Sequence, residues 1–141
     1  MIVDDDDVIR RLMRVNLELE GFVVDEAADA EQCLSILRGA RPDVLVVDVA
    51  MPGIDGITLT QMLRADPATA GIRILIVSAL AQRDDVERGL QAGADAYLTK
   101  PFDPDAFVAQ VRRLSRPADS TRGADPSSGA SGHPRRRFAT G

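Results

Sequence analysis

Apolar residues fall into two alternating patterns along the first 115 positions, and turn-forming residues separate them. The run Val44-Leu-Val-Val47 is four consecutive apolar, mostly β-branched residues. It predicts a strand buried on both faces, as strands of parallel sheets are. Ile72-Arg-Ile-Leu-Ile-Val77 predicts another, and Met1-Ile-Val3, Phe22-Val-Val24 and Ala96-Tyr-Leu98 predict shorter ones. Between these runs the apolar spacing becomes helical. Val8, Ile9, Leu12, Met13, Val15, Leu17 and Leu19 mark a first helix, with Asp6 or Asp7 as N-cap and Gly21 as its stop. Ala30, Cys33, Leu34, Ile36 and Leu37 mark a second, capped by Asp29 and ended by Gly39. Leu59, Met62 and Leu63 mark a third, stopped near Asp66-Pro67, and Val86 and Leu90 a fourth, closed by Gly93. A fifth begins after Asp103-Pro104 and buries Phe107, Val108, Val111 and Leu114. Strand and helix thus alternate five times. Short connections and right-handed crossovers turn that order into an α/β fold, a doubly wound parallel sheet with helices on both faces.

Composition narrows the picture. The length of 141 residues suits one domain, placed at 1–115, with a tail at 116–141 rich in Pro, Ser, Gly and Arg and lacking periodicity. That tail is expected to be disordered. No apolar run approaches the ~20 residues a membrane span needs, and the start lacks a secretory pattern, so a cytoplasmic protein with no membrane contact is expected. The single Cys33 excludes an internal disulfide. The net charge of −5 divides into −8 for residues 1–115 and +3 for the tail. The folded part is therefore not expected to bind nucleic acid directly. One lysine, Lys100, stands among sixteen arginines and calls for a specific reason.

The chemistry gathers just past the strand ends. Asp4 and Asp5 follow the first strand, Asp48 the third, Ser78 the fourth and Lys100 the fifth. In a parallel sheet all carboxyl ends lie along one edge, so these side chains converge on one crevice. Taken singly, each has a plainer explanation: an acidic loop, a helix cap, a turn serine, a surface lysine, and for Asp55-Gly56 simply a turn. Their joint occurrence in strand order outweighs those explanations. Crowded carboxylates repel and demand a cation, and an all-oxygen set with few protein donors suits Mg²⁺. A hydroxyl and an ammonium beside it provide what a transferring phosphoryl group needs for charge neutralisation.

On four motifs the chain resembles the receiver domain of two-component response regulators: Ile2-Val-Asp-Asp5, Val47-Asp-Val-Ala-Met-Pro-Gly-Ile-Asp-Gly56, Ile76-Val-Ser-Ala79 and Ala92-Gly-Ala-Asp-Ala-Tyr-Leu-Thr-Lys-Pro-Phe102. The resemblance covers residues 1 to about 115 and implies a flavodoxin-like, CheY-like sheet of order 2-1-3-4-5. It implies Asp48 as the phosphoacceptor, with Mg²⁺ held by Asp5, Asp48 and the Ala50 carbonyl, and by Asp4 through water. Ser78 would donate to the phosphoryl group, Lys100 would pair with it, and Tyr97 would be an aromatic switch responding to Ser78. Pro101 would follow a cis peptide bond. The implied partners are a sensor histidine kinase or phosphotransfer protein and a downstream protein target, the domain being a monomer or a phosphorylation-dependent dimer. It would catalyse its own phosphorylation and dephosphorylation without being a turnover enzyme. Ala50 and Leu80, at the places flanking the water approach, imply slow hydrolysis. The departures are a first strand shorter than usual, Ser78 in place of the commoner Thr, and an acidic run extended by Asp6 and Asp7.

Other functions compete. A haloacid-dehalogenase-like phosphatase needs a second Asp where Ala50 stands. A flavin carrier needs a hydroxyl-rich phosphate loop where four aspartates stand. A phosphorylation-independent protein-binding module on the same fold, or a receiver fragment of a longer regulator, are the remaining alternatives.

Overall fold

The computed structural model describes residues 1–116, so the predicted tail lies outside the described residues except for Arg116. Strands β1 (Ile2–Val3), β2 (Glu26–Ala27), β3 (Val44–Val47), β4 (Arg73–Ser78) and β5 (Ala96–Thr99) alternate with helices α1 (Asp7–Leu19), α2 (Ala30–Leu37), α3 (Gly56–Ala65), α4 (Arg83–Gln91) and α5 (Pro104–Ser115). All strand pairs are parallel, in the order β2-β1-β3-β4-β5.

Successive strand residues face opposite sides of a sheet, and here both sides are covered. Ile2, Val44, Val46, Leu75 and Val77 pack against Met13 and Leu17 of α1 and Phe107, Val111 and Leu114 of α5. Val3, Leu45, Val47, Ile74 and Ile76 pack on the other side against Cys33 of α2 and Leu59 and Leu63 of α3. This double burial is why Val44–Val47 of β3 and Ile74–Val77 of β4 read as unbroken apolar runs. Asp6 caps α1, accepting from the Val8 and Ile9 amides at 2.9 and 3.1 Å, while Asp29 and Asp55 cap α2 and α3. Cys33 is free and buried, and burial pushes its thiol up to about 12, so it stays a packing residue.

Three expectations change. The second strand lies at Glu26–Ala27, not at Phe22-Val-Val24. Phe22 instead fills the core beside α5, and Ile2 and Val3 pair with Glu26 and Ala27. A half-exposed edge strand can carry an acidic residue, and this one is held by Arg10 and Arg14 of α1, 2.8 and 2.6 Å from Glu26. The first helix buries only Met13 and Leu17, while Val8, Leu12, Val15 and Leu19 lie 45–77% exposed. Met62 and Leu90 are also exposed, and α4 buries only Gly89. A Cβ at Gly89 would come within 2.9 Å of Ile76 and Tyr97, so a bare backbone lets α4 lie close on the sheet.

The sheet edge opposite the acidic loops carries a knot that sequence reasoning missed. Arg64 donates to the carbonyls of Gly93 and Ile72 at 2.9 and 2.6 Å and pairs with Asp95 at 2.9 Å. Asp95 also accepts from the Ile74 amide at 2.8 Å. It ties α3 to β4 and β5, which fixes the frame that the site residues stand on.

Candidate functional site

Backbone pairing brings the strand ends level. The Asp48 amide donates to the Val3 carbonyl at 3.0 Å, and the Lys100 amide to the Ser78 carbonyl at 2.8 Å. The residues following β1, β3, β4 and β5 therefore meet at one place. Carboxylate oxygens of Asp4, Asp5 and Asp48 all lie within 4.8 Å of one another. Lys100 reaches between two of them, its Nζ 3.0 Å from Asp4 Oδ2 and 3.6 Å from Asp48 Oδ1. Asp4, Asp48 and Ser78 are buried, and Asp5 is exposed.

The carboxylates differ in what they have left to offer. Asp4 uses Oδ1 to accept from the Asp6 amide at 2.9 Å and Oδ2 for Lys100, so both its oxygens are engaged. Arg10 holds the same turn by donating to the Asp4 carbonyl at 2.7 Å. Asp5 has no hydrogen-bond or ion-pair partner among the described residues. Burial is the largest influence on Asp48 and pushes its carboxyl above the ordinary range; Asp4 and Asp5 add to this, while Lys100 and the Ala50 N–H oppose it. One lysine for three carboxylates leaves negative charge in a half-closed crevice. An all-oxygen donor set of this kind suits a hard divalent cation, and the cluster can hold one.

Two glycines shape the loop after Asp48. Gly53 has φ +77°, the left-handed region, which makes the turn past Met51-Pro52 possible. Gly56 is not a turn residue: it opens α3, where a Cβ would collide with the Asp48 carbonyl and come within 2.9 Å of the Val49 Cα. The Asp55-Gly56 pair is therefore a cap followed by a close approach, and it seats α3 directly on the backbone of Asp48.

Ser78 and Tyr97 are joined through the loop after β4. Ser78 Oγ accepts from the Leu80 amide at 3.1 Å, and the Tyr97 hydroxyl donates to the Leu80 carbonyl at 2.6 Å. Burial raises the Tyr97 phenol above its ordinary value. Ala50 and Leu80 both stand exposed at the rim. The Lys100–Pro101 peptide is cis, as the resemblance implied. The structure thus gathers Asp4, Asp5, Asp48, Ser78 and Lys100 at one edge, with Tyr97 linked to it by one loop residue. Sequence reasoning missed Arg10 and Gly56. The signal for Arg10 was a cation one turn into a helix that follows an acidic loop, and for Gly56 a glycine placed after a capping aspartate.

Comparison with known proteins leads the same way. The family model of the response regulator receiver domain matches residues 1–112. A DNA-binding dual master transcriptional regulator RpaA from Synechocystis is 41% identical over 119 residues, covering 84% of this chain and 49% of that protein. A phosphate regulon transcriptional regulatory protein PhoB from Pseudomonas aeruginosa is 37% identical over 123 residues, covering 85% and 54%. The chain spans about half the length of the curated relatives it matches. Among solved structures, a putative response regulator from Chloroflexus aurantiacus superposes with a TM-score of 0.77 at 38% identity, covering 80% of this chain and 93% of that one. The chemotaxis response regulator CheY4 of Vibrio cholerae superposes with a TM-score of 0.75 at 29% identity, covering 80% and 94%. With the sheet order, the strand-end cluster and these matches in hand, the chain belongs to the response regulator receiver domain family.

Proposed function

We propose that this domain accepts a phosphoryl group on Asp48 from a phosphohistidine of a sensor kinase or phosphotransfer protein, and thereby switches a partner. The observation that carries this reading is the Asp4–Asp5–Asp48 cluster bridged by Lys100 at the end of β3. A carboxylate oxygen of Asp48 attacks phosphorus in line, the P–N bond breaks, and its electron pair returns to the donor imidazole. Asp5, Asp48 and the Ala50 carbonyl are the residues to hold Mg²⁺, with Asp4, whose oxygens are both engaged, acting through water. Bound there, Mg²⁺ neutralises the charge of the phosphoryl oxygens. Lys100 leaves Asp48 for the phosphoryl group, and the Ser78 hydroxyl gives up the Leu80 amide to donate to it. That release frees the loop which Tyr97 grips at Leu80, and so passes the change to the α4–β5 surface. The domain promotes this transfer to itself and is not a turnover enzyme.

The donor's approach is supported by α1. Its N-terminus opens on the acidic loop, and Val8, Leu12 and Val15, with Arg11, line an open pocket of about 480 Å³ on its exposed face. An apolar stripe of this spacing accepts a partner helix. Phosphoramidate with Mg²⁺ tests the reading. It labels the wild type with one phosphoryl group and leaves Asp48→Asn unlabelled, and EDTA abolishes the reaction. Equal labelling of the variant, or labelling in EDTA, would overturn it. Half-length coverage of regulators described as DNA-binding supports a further reading, that the domain governs an output module; its own negative charge keeps the folded part off nucleic acid.

A further inference from the structure

The opposite edge of the sheet carries a second charged place, of the other sign. Arg41 precedes β3, Arg73 opens β4, and Arg116 closes α5. The register pairs Val44 with Arg73, and the Arg73 amide donates to the Asp43 carbonyl at 3.3 Å, so the first two arginines come from neighbouring strand starts. All three line one open pocket of about 260 Å³, whose floor includes the buried Pro42, Leu114 and Ser115. None of the three guanidiniums makes a side-chain hydrogen bond or ion pair to another described residue. The one carboxylate among the described lining residues is Asp43.

The Arg41 guanidinium lies over Gly71, in the space a Cβ there would occupy. Its place is therefore shaped by a residue without a side chain. The end of a helix attracts cations, which accounts for Arg116 but not for Arg41 or Arg73. Three guanidiniums drawn into one concavity against the single carboxylate of Asp43 leave an excess of positive charge there, which a bound anion would offset. Guanidinium groups are planar forks that match phosphate oxygens two at a time.

We propose that this pocket binds the multiply charged phosphate group of a small molecule, at the edge of the sheet remote from Asp48. The pocket would make the domain sensitive to a second, non-covalent phosphate signal.

The test uses the full chain in EDTA, which removes divalent-dependent binding at Asp48, with inorganic pyrophosphate at about 10 mM against sodium chloride of equal ionic strength. Millimolar affinity predicts a rise in thermal midpoint of about 3 °C in the wild type. Arg41→Gln combined with Arg73→Gln loses most of that rise. A variant with Arg135→Gln, Arg136→Gln and Arg137→Gln keeps it. Because excluded anions stabilise proteins in general, an equal rise in the Arg41/Arg73 variant overturns the proposal. No rise in the wild type, or a rise abolished in the Arg135–Arg137 variant, also overturns it. Citrate acting as well as pyrophosphate would contradict the phosphate assignment. An NMR titration of the wild type is independent of how the variants fold: it expects amide shifts at Asp43, Gly71 and Ser115, and their absence counts against the site.

Discussion

Asp48 sits where its own charge is hardest to keep. Its oxygens share a crevice with those of Asp4 and Asp5, and among the described residues Lys100 is the one cation paired with the cluster. Removing one of these charges without changing shape should relieve repulsion in the metal-free protein. Asp48→Asn is expected to raise the thermal midpoint in EDTA by about 4 °C, the equivalent of roughly 1 kcal/mol in a domain of this size. Calorimetry in EDTA checks it, and a fall in midpoint would mean that the Lys100 contact outweighs the crowding. The rim residues govern a different quantity. Hydrolysis of an aspartyl phosphate needs an oriented water opposite the acceptor, and neither Ala50 nor Leu80 carries a side-chain group that can hold one. The phosphorylated state is expected to be long-lived, and Ala50→Asn and Leu80→Glu are each expected to hasten its decay several-fold at one Mg²⁺ concentration. Timed loss of label measures this, and unchanged decay in both variants would place control of the lifetime elsewhere.

At the scale of elements, the edge strand β2 depends on charge more than on apolar burial. β2 has two residues, and Glu26 is clamped by Arg10 and Arg14. Burial opposes ionisation of Glu26, but hydrogen bonds from Arg14 and Arg10 prevail and hold its carboxyl below the ordinary value. A lowered folded-state value contributes stability above the unfolded value of about 4.3, and that contribution is lost as pH falls through the folded one. Glu26→Gln is expected to cost about 1 kcal/mol or less at pH 7, given solvent screening. The two proteins should converge in stability as the pH drops below about 4. Denaturant midpoints across that range test the sign. Helix α3 makes the opposite case, a contact set by backbone alone. Gly56→Ala drives a methyl into the Asp48 carbonyl, and neither backbone can retreat without moving the strand or the helix. The variant is expected to lose at least about 2 kcal/mol and to accept phosphate poorly even where it remains folded.

Across the whole molecule, what the sequence made visible follows from which forces are local. Double burial leaves four consecutive apolar residues in β3 and four in β4 after Arg73, so their position and the carboxylate at the end of β3 could be read directly. The edge strand could not, because Glu26 owes its place to arginines on α1 and not to any periodicity around it. Helix α1 carried too many apolar positions for the face it buries, and a count of apolar residues cannot tell a core face from a docking face. The roles of Gly56 and Gly89 depend on what a missing Cβ would strike, which only the assembled fold reveals. The strand-end residues were visible because a parallel sheet brings all its carboxyl ends to one edge whatever the details of packing. That convergence makes Asp48 itself the expected recipient of the phosphoryl group. The most direct measurement treats the phosphoramidate-labelled protein with borohydride, which reduces an aspartyl phosphate to homoserine, and maps the product by peptide mass spectrometry. Homoserine is expected at position 48 and nowhere else; homoserine in place of Asp4, Asp5 or Asp55, with Asp48 intact, would contradict phosphorylation at Asp48.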